Sequence, residues 1–272
     1  MMRANFVKSV GCVLTLFLLV RLVPAKEKAS EKLSAPQQTA VEDVTRRSED
    51  LKAVNQSIWN YAEVGLQENQ SSQLLIEKLK EEGFTVKSGV ADMPTAFVAS
   101  YGSGKPVIGI LAEYDALPGL SQKTVPFREA QTEGGAGHAC GHSGLGTAAL
   151  GAALAAKVAI DKHQLKGTVR LYGTPAEETG LGKVYMLLDG QFEDLDICLH
   201  WHPSNNTNVH LGSSKALVSV KFTFTGLPAH ASVSPESGVS ALDAVELMNT
   251  GVNYMREHVK EDARMHYVII DG

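Results

Sequence analysis

The 272 residues include only three cysteines and two tryptophans, and aromatic side chains make up 6%. Cys12 falls in the first 25 residues, which leaves Cys140 and Cys198. One possible pair is not a disulfide framework, so the fold must rest on its core. Positive charge is also in short supply: Lys and Arg total 25 against 30 acidic residues, a formal net charge of −5. No basic patch stands out, which argues against nucleic acid as a partner. After the N-terminal segment no apolar run reaches the ~20 residues that cross a bilayer, so no stable membrane span is expected there. There is no internal repeat. What remains is ordinary for a globular protein, with 44% hydrophobic and 20% charged residues, and the length suits one or two domains.

The first 25 residues differ from the rest. Arg3 and Lys8 precede the short apolar run VGCVLTLFLLV, and RLVPA follows, ending at the small residue Ala25. This pattern predicts a secretory signal peptide over residues 1–25 and a secreted or periplasmic product. Its removal takes Arg3, Lys8 and Arg21 and leaves 22 basic against 30 acidic residues. Residues 26–40, KEKASEKLSAPQQTA, are polar and predict a mobile leader.

From Val41 onward Val44, Leu51, Val54 and Ile58 share a helical face. A turn and a second helix end at Gly83, and strands follow in PTAFVASY and PVIGILAEYDALP. The run VIGIL has no polar break, as in a strand covered on both faces. GLGTAALGAALAAKVAI predicts a small-residue helix packed closely on a sheet. KGTVRLYGTP predicts a strand, LGKVYMLLDG a helix ending at Gly190, and LDICLHWHP a buried strand. Alternating helices and apolar strands predict an α/β fold with a mainly parallel sheet over residues 41–214. From Lys215 the character changes. KALVSVKFTFTG alternates as a half-exposed strand, SGVSALDAVELMNTGVNYMREHV is an amphipathic helix, and RMHYVIIDG begins another strand. Residues 215–272 are therefore expected to form a smaller α+β domain.

Chemistry-bearing residues gather just after the apolar strands, where such sheets place their functional groups. Asp115 follows IGILAEY. GHACGH places His138, Cys140 and His142 at alternate positions among glycines. Glu177 and Glu178 follow TVRLYGTPA, and His200 and His202 follow LDICL. Each has a plainer reading alone: Cys140 as a small buried hydrophobe, either histidine as a satisfied loop residue, the glutamates as solvated charge at a helix start. Their convergence on four strand ends is what points to a metal site. A thiolate and an imidazole two residues apart suit zinc, and added carboxylates admit manganese or cobalt. Of two adjacent glutamates, one can bind metal while the other takes a proton from a coordinated water, whose pKa a metal lowers toward ~7. A thiol hydrolase using Cys140 with His138 or His142 is a rival reading, but it leaves the glutamate pair and LHWH without a task.

GHACGH, GTPAEETGLGKVYM, LHWHP, GLPAHAS and the earlier AEVGLQE together resemble the co-catalytic metal amidohydrolases of the aminoacylase/carboxypeptidase superfamily, in its p-aminobenzoyl-glutamate hydrolase-like branch. The resemblance runs from about Val41 to Gly272. It implies a zinc-exopeptidase-like catalytic domain with a lid that also dimerises, and two divalent ions, zinc or manganese. It further implies cleavage of the amide in N-acyl or aminoacyl-amino acid conjugates. Cys140, His142, Glu178 and His200 match metal ligands, with His202 competing with His200. Glu177 matches the general base. His230 matches a lid histidine that, in relatives, reaches the partner subunit's site and steadies the oxyanion. Asp115 and His138 match residues that line the site or touch substrate. Two departures bear on this. Glu113 stands where other superfamily members have a ligand histidine, a feature shared with the cysteine-containing branch. The family also continues beyond its lid to supply a further histidine ligand. An end at Gly272 would leave the second metal position incomplete, in a fragment or in a truncated remnant that binds only metal or a partner.

Overall fold

A computed structural model describes residues 32–209 and 212–271. The expected signal peptide and the first residues of the leader lie outside them. The chain divides into two compact units, one ending at Thr207 and the other beginning at Asn208.

The first unit opens with α1 (Ala35–Arg46) and α2 (Ser48–Tyr61). Helix therefore begins inside the segment expected to be a leader. The Ser34 amide and hydroxyl both donate to Gln37 Oε1, at 2.8 and 2.9 Å, and Pro36 stands in the first turn where a missing N–H costs nothing. The single long helix expected from Val41 is broken at Arg47. Arg47 bridges Asp43, 2.8 Å away, and Glu82, the residue that follows the third helix. The break leaves Val41 and Val44 exposed, while Val54 and Ile58 are buried. Helix α3 (Asn69–Glu81) ends as expected at Gly83, whose φ of +85° suits glycine.

The sheet contains β1 (Thr85–Ser88), β2 (Phe97–Ser103), β3 (Val107–Ala112), β4 (Gly167–Gly173) and β5 (Ile197–Leu199), in the order β1-β2-β4-β3-β5. The α/β class is as expected, but the sheet is mixed: β3 pairs parallel with β4 and β5, while β2 runs antiparallel to β1 and β4. Side chains alternate across it with period two. Phe97, Ala99, Val169 and Leu171 join Val54, Ile58, Leu75 and Leu150 in the larger core. Val98, Leu111 and Tyr172 face the opposite side, against Val90, Met93 and Met186. LDICL was expected to be a buried strand; β5 is instead exposed, with Ile197 at 48% and Leu199 at 53%. It is an edge strand, paired only with β3 in the described sheet.

The long helix α4 (His142–His163) lies over β3, β4 and the first two helices. Its small residues permit close approach: a Cβ on Gly146 would stand 2.7 Å from the Glu113 carbonyl oxygen. By length and composition α4 could cross a bilayer, contrary to the sequence expectation, but it is the core helix and is mostly buried. Helix α5 (Gly182–Leu188) follows β4.

In the second unit, α6 (Ala241–Met255) forms where the amphipathic helix was expected. Ser240 Oγ caps it, accepting from the Asp243 amide at 3.0 Å. The strands expected in KALVSVKFTFTG and RMHYVIIDG do not form among the described residues. Alternation marks a face, but a strand also needs a neighbour for its backbone N–H and C=O groups. The pairing that is present in this unit joins Leu227 to Val239 as an isolated antiparallel bridge.

Candidate metal centre

The site assembles where β3, β4 and β5 end, around the N-terminus of α4. His142 is the first residue of α4 and is fully buried. Its Nδ1 lies 2.9 Å from Asp115 Oδ1 and 3.0 Å from the Asp115 carbonyl oxygen. Both partners only accept, so Nδ1 carries the hydrogen and Nε2 presents its other face to the centre. Around Nε2 stand Glu113 Oε2 at 3.2 Å, Glu178 Oε1 at 3.8 Å and Glu177 Oε2 at 3.9 Å.

Glu113, two residues before Asp115, is 1% exposed. Its Oε1 pairs with the Lys183 ammonium and with His200 Nε2, the latter at 3.1 Å. Burial opposes ionisation, but the His200 hydrogen bond and the Lys183 charge outweigh it and hold the carboxyl at about 2. At His142 burial likewise favours the neutral form, and the Asp115 hydrogen bond and charge outweigh it, raising the pKa. Burial and the Glu113 charge raise Glu177.

The loop after β4 is held from two sides. The Ala176 amide donates to Glu68 Oε1 at 2.7 Å, and the Glu178 amide donates to Asp115 Oδ2 at 2.9 Å. Ala176 has φ +55°, a left-handed conformation that costs an L-residue roughly 1–2 kcal/mol.

Cys140 Sγ lies 3.2 Å from His202 Nε2. Burial and the Glu178 and Glu177 carboxylates push this thiol up to about 11. That is the reverse of what an activated nucleophilic thiol needs, which weighs against a Cys140 hydrolase. The buried Nδ1 of His138 has no hydrogen-bond partner. Its Nε2 donates to the Ile58 carbonyl at 3.0 Å, and burial lowers its pKa. His230 belongs to the second unit, where its Nδ1 lies 3.2 Å from Ser232 Oγ. The first unit thus brings together Cys140, His142, Glu177, Glu178, His200, His202 and Asp115. Glu113 and Lys183 were missed as members. Glu113 directly follows β3, two residues before Asp115, and the sequence marks it only as the residue that replaces a histidine. Lys183, within GLGKVYM, carries no spacing signal of its own.

Three buried atoms at this centre have no hydrogen-bond partner: Glu113 Oε2, His142 Nε2 and Glu178 Oε1. Leaving such atoms unpaired is costly. A cation would satisfy all three, and the mixture of carboxylate, imidazole and nearby thiol is a transition-metal donor set. Ligand atoms of Cys140, His142 and His202 lie within 4.8 Å of one another, as do those of Glu113, His142 and Glu177. The residues present fit a metal.

Residues 109–266, more than half of the chain, match the profile of Peptidase family M20/M25/M40. The chain belongs to that family. It is 45% identical to a p-aminobenzoyl-glutamate hydrolase subunit of Escherichia coli (strain K12) over 216 residues, covering 79% of this chain and 45% of that one. It is 30% identical to the Xaa-Arg dipeptidase of Mus musculus over 261 residues, covering 92% of this chain and 56% of that one. A crystal structure from methicillin resistant Staphylococcus aureus shares the fold, with TM-score 0.53, 20% identity, and coverage of 83% of this chain and 59% of that one. The M20 chain described here spans about half the length of the curated relatives it matches.

Proposed function

We propose that this M20 chain carries the metal-binding part of an amidohydrolase that cleaves N-acyl or aminoacyl-amino acid conjugates. The reading rests above all on the three unpaired buried donors facing one another at Glu113, His142 and Glu178. Relatives named as a p-aminobenzoyl-glutamate hydrolase subunit and a dipeptidase support the substrate class. Cys140, His142 and Glu178, completed by His200 or His202, would hold a divalent ion, zinc or manganese; the family resemblance suggests two ions. When bound, such an ion polarises a scissile carbonyl and acidifies a water.

The chain's own residues supply the rest. Asp115 fixes the His142 tautomer and ring. Lys183 and His200 keep Glu113 ionised, so negative charge persists at the centre in the absence of metal. Glu177 Oε2 faces the same space and is less buried than its neighbours. Its raised pKa moves toward the range of an effective general base. It would take a proton from the attacking water and return it to the leaving amine nitrogen. His230 would act on the oxyanion from a second copy, in a homodimer formed through the second unit. Export by the N-terminal segment is part of the same reading.

The test is Glu177→Gln, which keeps size and removes the proton acceptor. The variant should retain the parent's metal content and lose ~10²–10⁴-fold in turnover of p-aminobenzoyl-glutamate and N-acyl amino acids. Near-parent turnover in the metal-replete variant would remove Glu177 from the reaction.

A further inference from the structure

We propose that Glu68, in the AEVGLQE segment, is a positioning residue that locks the loop bearing Glu177 and Glu178 into its metal-ready conformation. This rests on the reading of that loop as part of the hydrolase site. Glu68 is fully buried. Its carboxylate has two partners. Oε1 accepts from the Ala176 amide at 2.7 Å, and Oε2 accepts from Thr95 Oγ1 at 2.9 Å.

The placement of these bonds is informative. Ala176 and Glu178 are the residues on either side of Glu177. The amide of each donates to a buried carboxylate, Glu68 for the first and Asp115 for the second. The glutamate read as the base is therefore held between two anchored amides. Ala176 is also the residue with left-handed φ, a conformation that persists only where its surroundings enforce it. Without Glu68 the loop could relax toward an ordinary backbone and swing both glutamates off the centre.

The rest of the segment grips the same loop and its neighbour. A Cβ on Gly65 would lie 2.3 Å from Thr179 Oγ1 and 2.9 Å from the Ala176 Cα, so only glycine permits this approach. Val64 bridges Ala116, and the Ala116 amide donates to the Glu63 carbonyl at 2.7 Å, beside Asp115. Thr95 in turn accepts the Tyr114 hydroxyl on its carbonyl oxygen at 2.6 Å, and Tyr114 lies between Glu113 and Asp115. One segment thus ties together two strand-end loops that supply the centre.

The experiment compares Glu68→Ala and Glu68→Gln in the full chain. Gln can still accept from the Ala176 amide, while its NH₂ donates to a Thr95 hydroxyl that rotates to accept. Ala can do neither. The readouts are zinc affinity by competition with a chromophoric chelator, amide hydrogen exchange at residues 176–178, and cooperative urea unfolding. Glu68→Ala should lose ~10–100-fold in zinc affinity and lose protection at 176–178, while Glu68→Gln stays within ~3-fold of the parent in both. Gly65→Ala, which leaves Glu68 intact but pushes the loops apart, should reproduce the Ala phenotype if Glu68→Ala does not fold. Parent-like affinity and protection in a folded Glu68→Ala protein, or equal losses in Ala and Gln variants, would overturn the proposal. If the parent binds no zinc, the hydrolase reading fails, and exchange at 176–178 alone decides on Glu68: retained protection in Glu68→Ala overturns its positioning role.

Discussion

Lys183→Met isolates the charge balance of the centre. Methionine keeps most of the stem and removes the ammonium that pairs with Glu113. The Glu113 side chain is 2% exposed and that of Lys183 26%, so solvent can compensate only in part. A glutamate held at about 2 rather than its ordinary 4.5 corresponds to roughly 3 kcal/mol favouring the folded, ionised form. His200 shares this task from 3.1 Å, and losing one charged partner of a buried carboxylate costs on the order of 2 kcal/mol. The folded pKa is depressed, so the contribution is fully present above 4.5 and is lost as pH falls toward about 2. Metal-free Lys183→Met should therefore unfold in urea with about 2 kcal/mol less stability at neutral pH, and the gap to the parent should narrow under acid. Saturating zinc should also narrow it, since a cation beside Glu113 takes over the role of the ammonium. A gap below about 0.5 kcal/mol at neutral pH, the scatter of ordinary surface changes, would refute the argument. So would a gap that does not vary with pH.

Other consequences follow from the same geometry. Cys140, pushed up to about 11 without metal, must release a proton to bind as a thiolate. Zinc affinity should therefore rise with pH through the neutral range, and calorimetry in buffers of different ionisation enthalpy should register the proton. Cys140→Ser should weaken zinc binding and abolish that release; unchanged affinity would make Cys140 a packing residue. Gly146→Ala would place a methyl 2.7 Å from the Glu113 carbonyl oxygen. Backbone cannot yield there cheaply, so about 1–3 kcal/mol of stability should be lost in urea unfolding, with weaker zinc binding. Parent-like stability would mean that α4 and β3 have more room than their geometry shows.

The site was more legible in the sequence than its surroundings. Asp115, Cys140, His142, Glu177, Glu178, His200 and His202 could be read because strand ends are where such groups gather, and those segments do end beside one another. Glu113 and Lys183 escaped because a lone carboxylate and a lone ammonium have no spacing signature. Their meaning appears only when α5 brings Lys183 onto the end of β3. The break between α1 and α2 escaped for a similar reason, since neither glycine nor proline marks it. Arg47 reaching Glu82, 35 positions away, is a tertiary event. The start of α1 was available in Ser34, Pro36 and Gln37 but was masked by the polarity around it. Strand β1, TVKS, is short and polar, and pairing with β2 rather than any pattern of its own defines it. KALVSVKFTFTG is the converse case, with a clear pattern and no pairing among the described residues.

The donors at Glu113, His142 and Glu178 come from separate turns of the chain, and this has a kinetic meaning. They meet only when β4 has inserted between β2 and β3, pairing residues as distant as Phe97 and Gly173. Such pairings nucleate slowly, because loop closure precedes any reward from contact. No local piece of the chain can offer this donor set, so ion capture follows sheet closure and cannot guide it. A bound ion then adds contacts absent from the folding barrier and acts as a brake on escape from the native state. Stripping it with a chelator should steepen loss of the native state by raising the unfolding rate, while the refolding rate of the bare chain stays where it was.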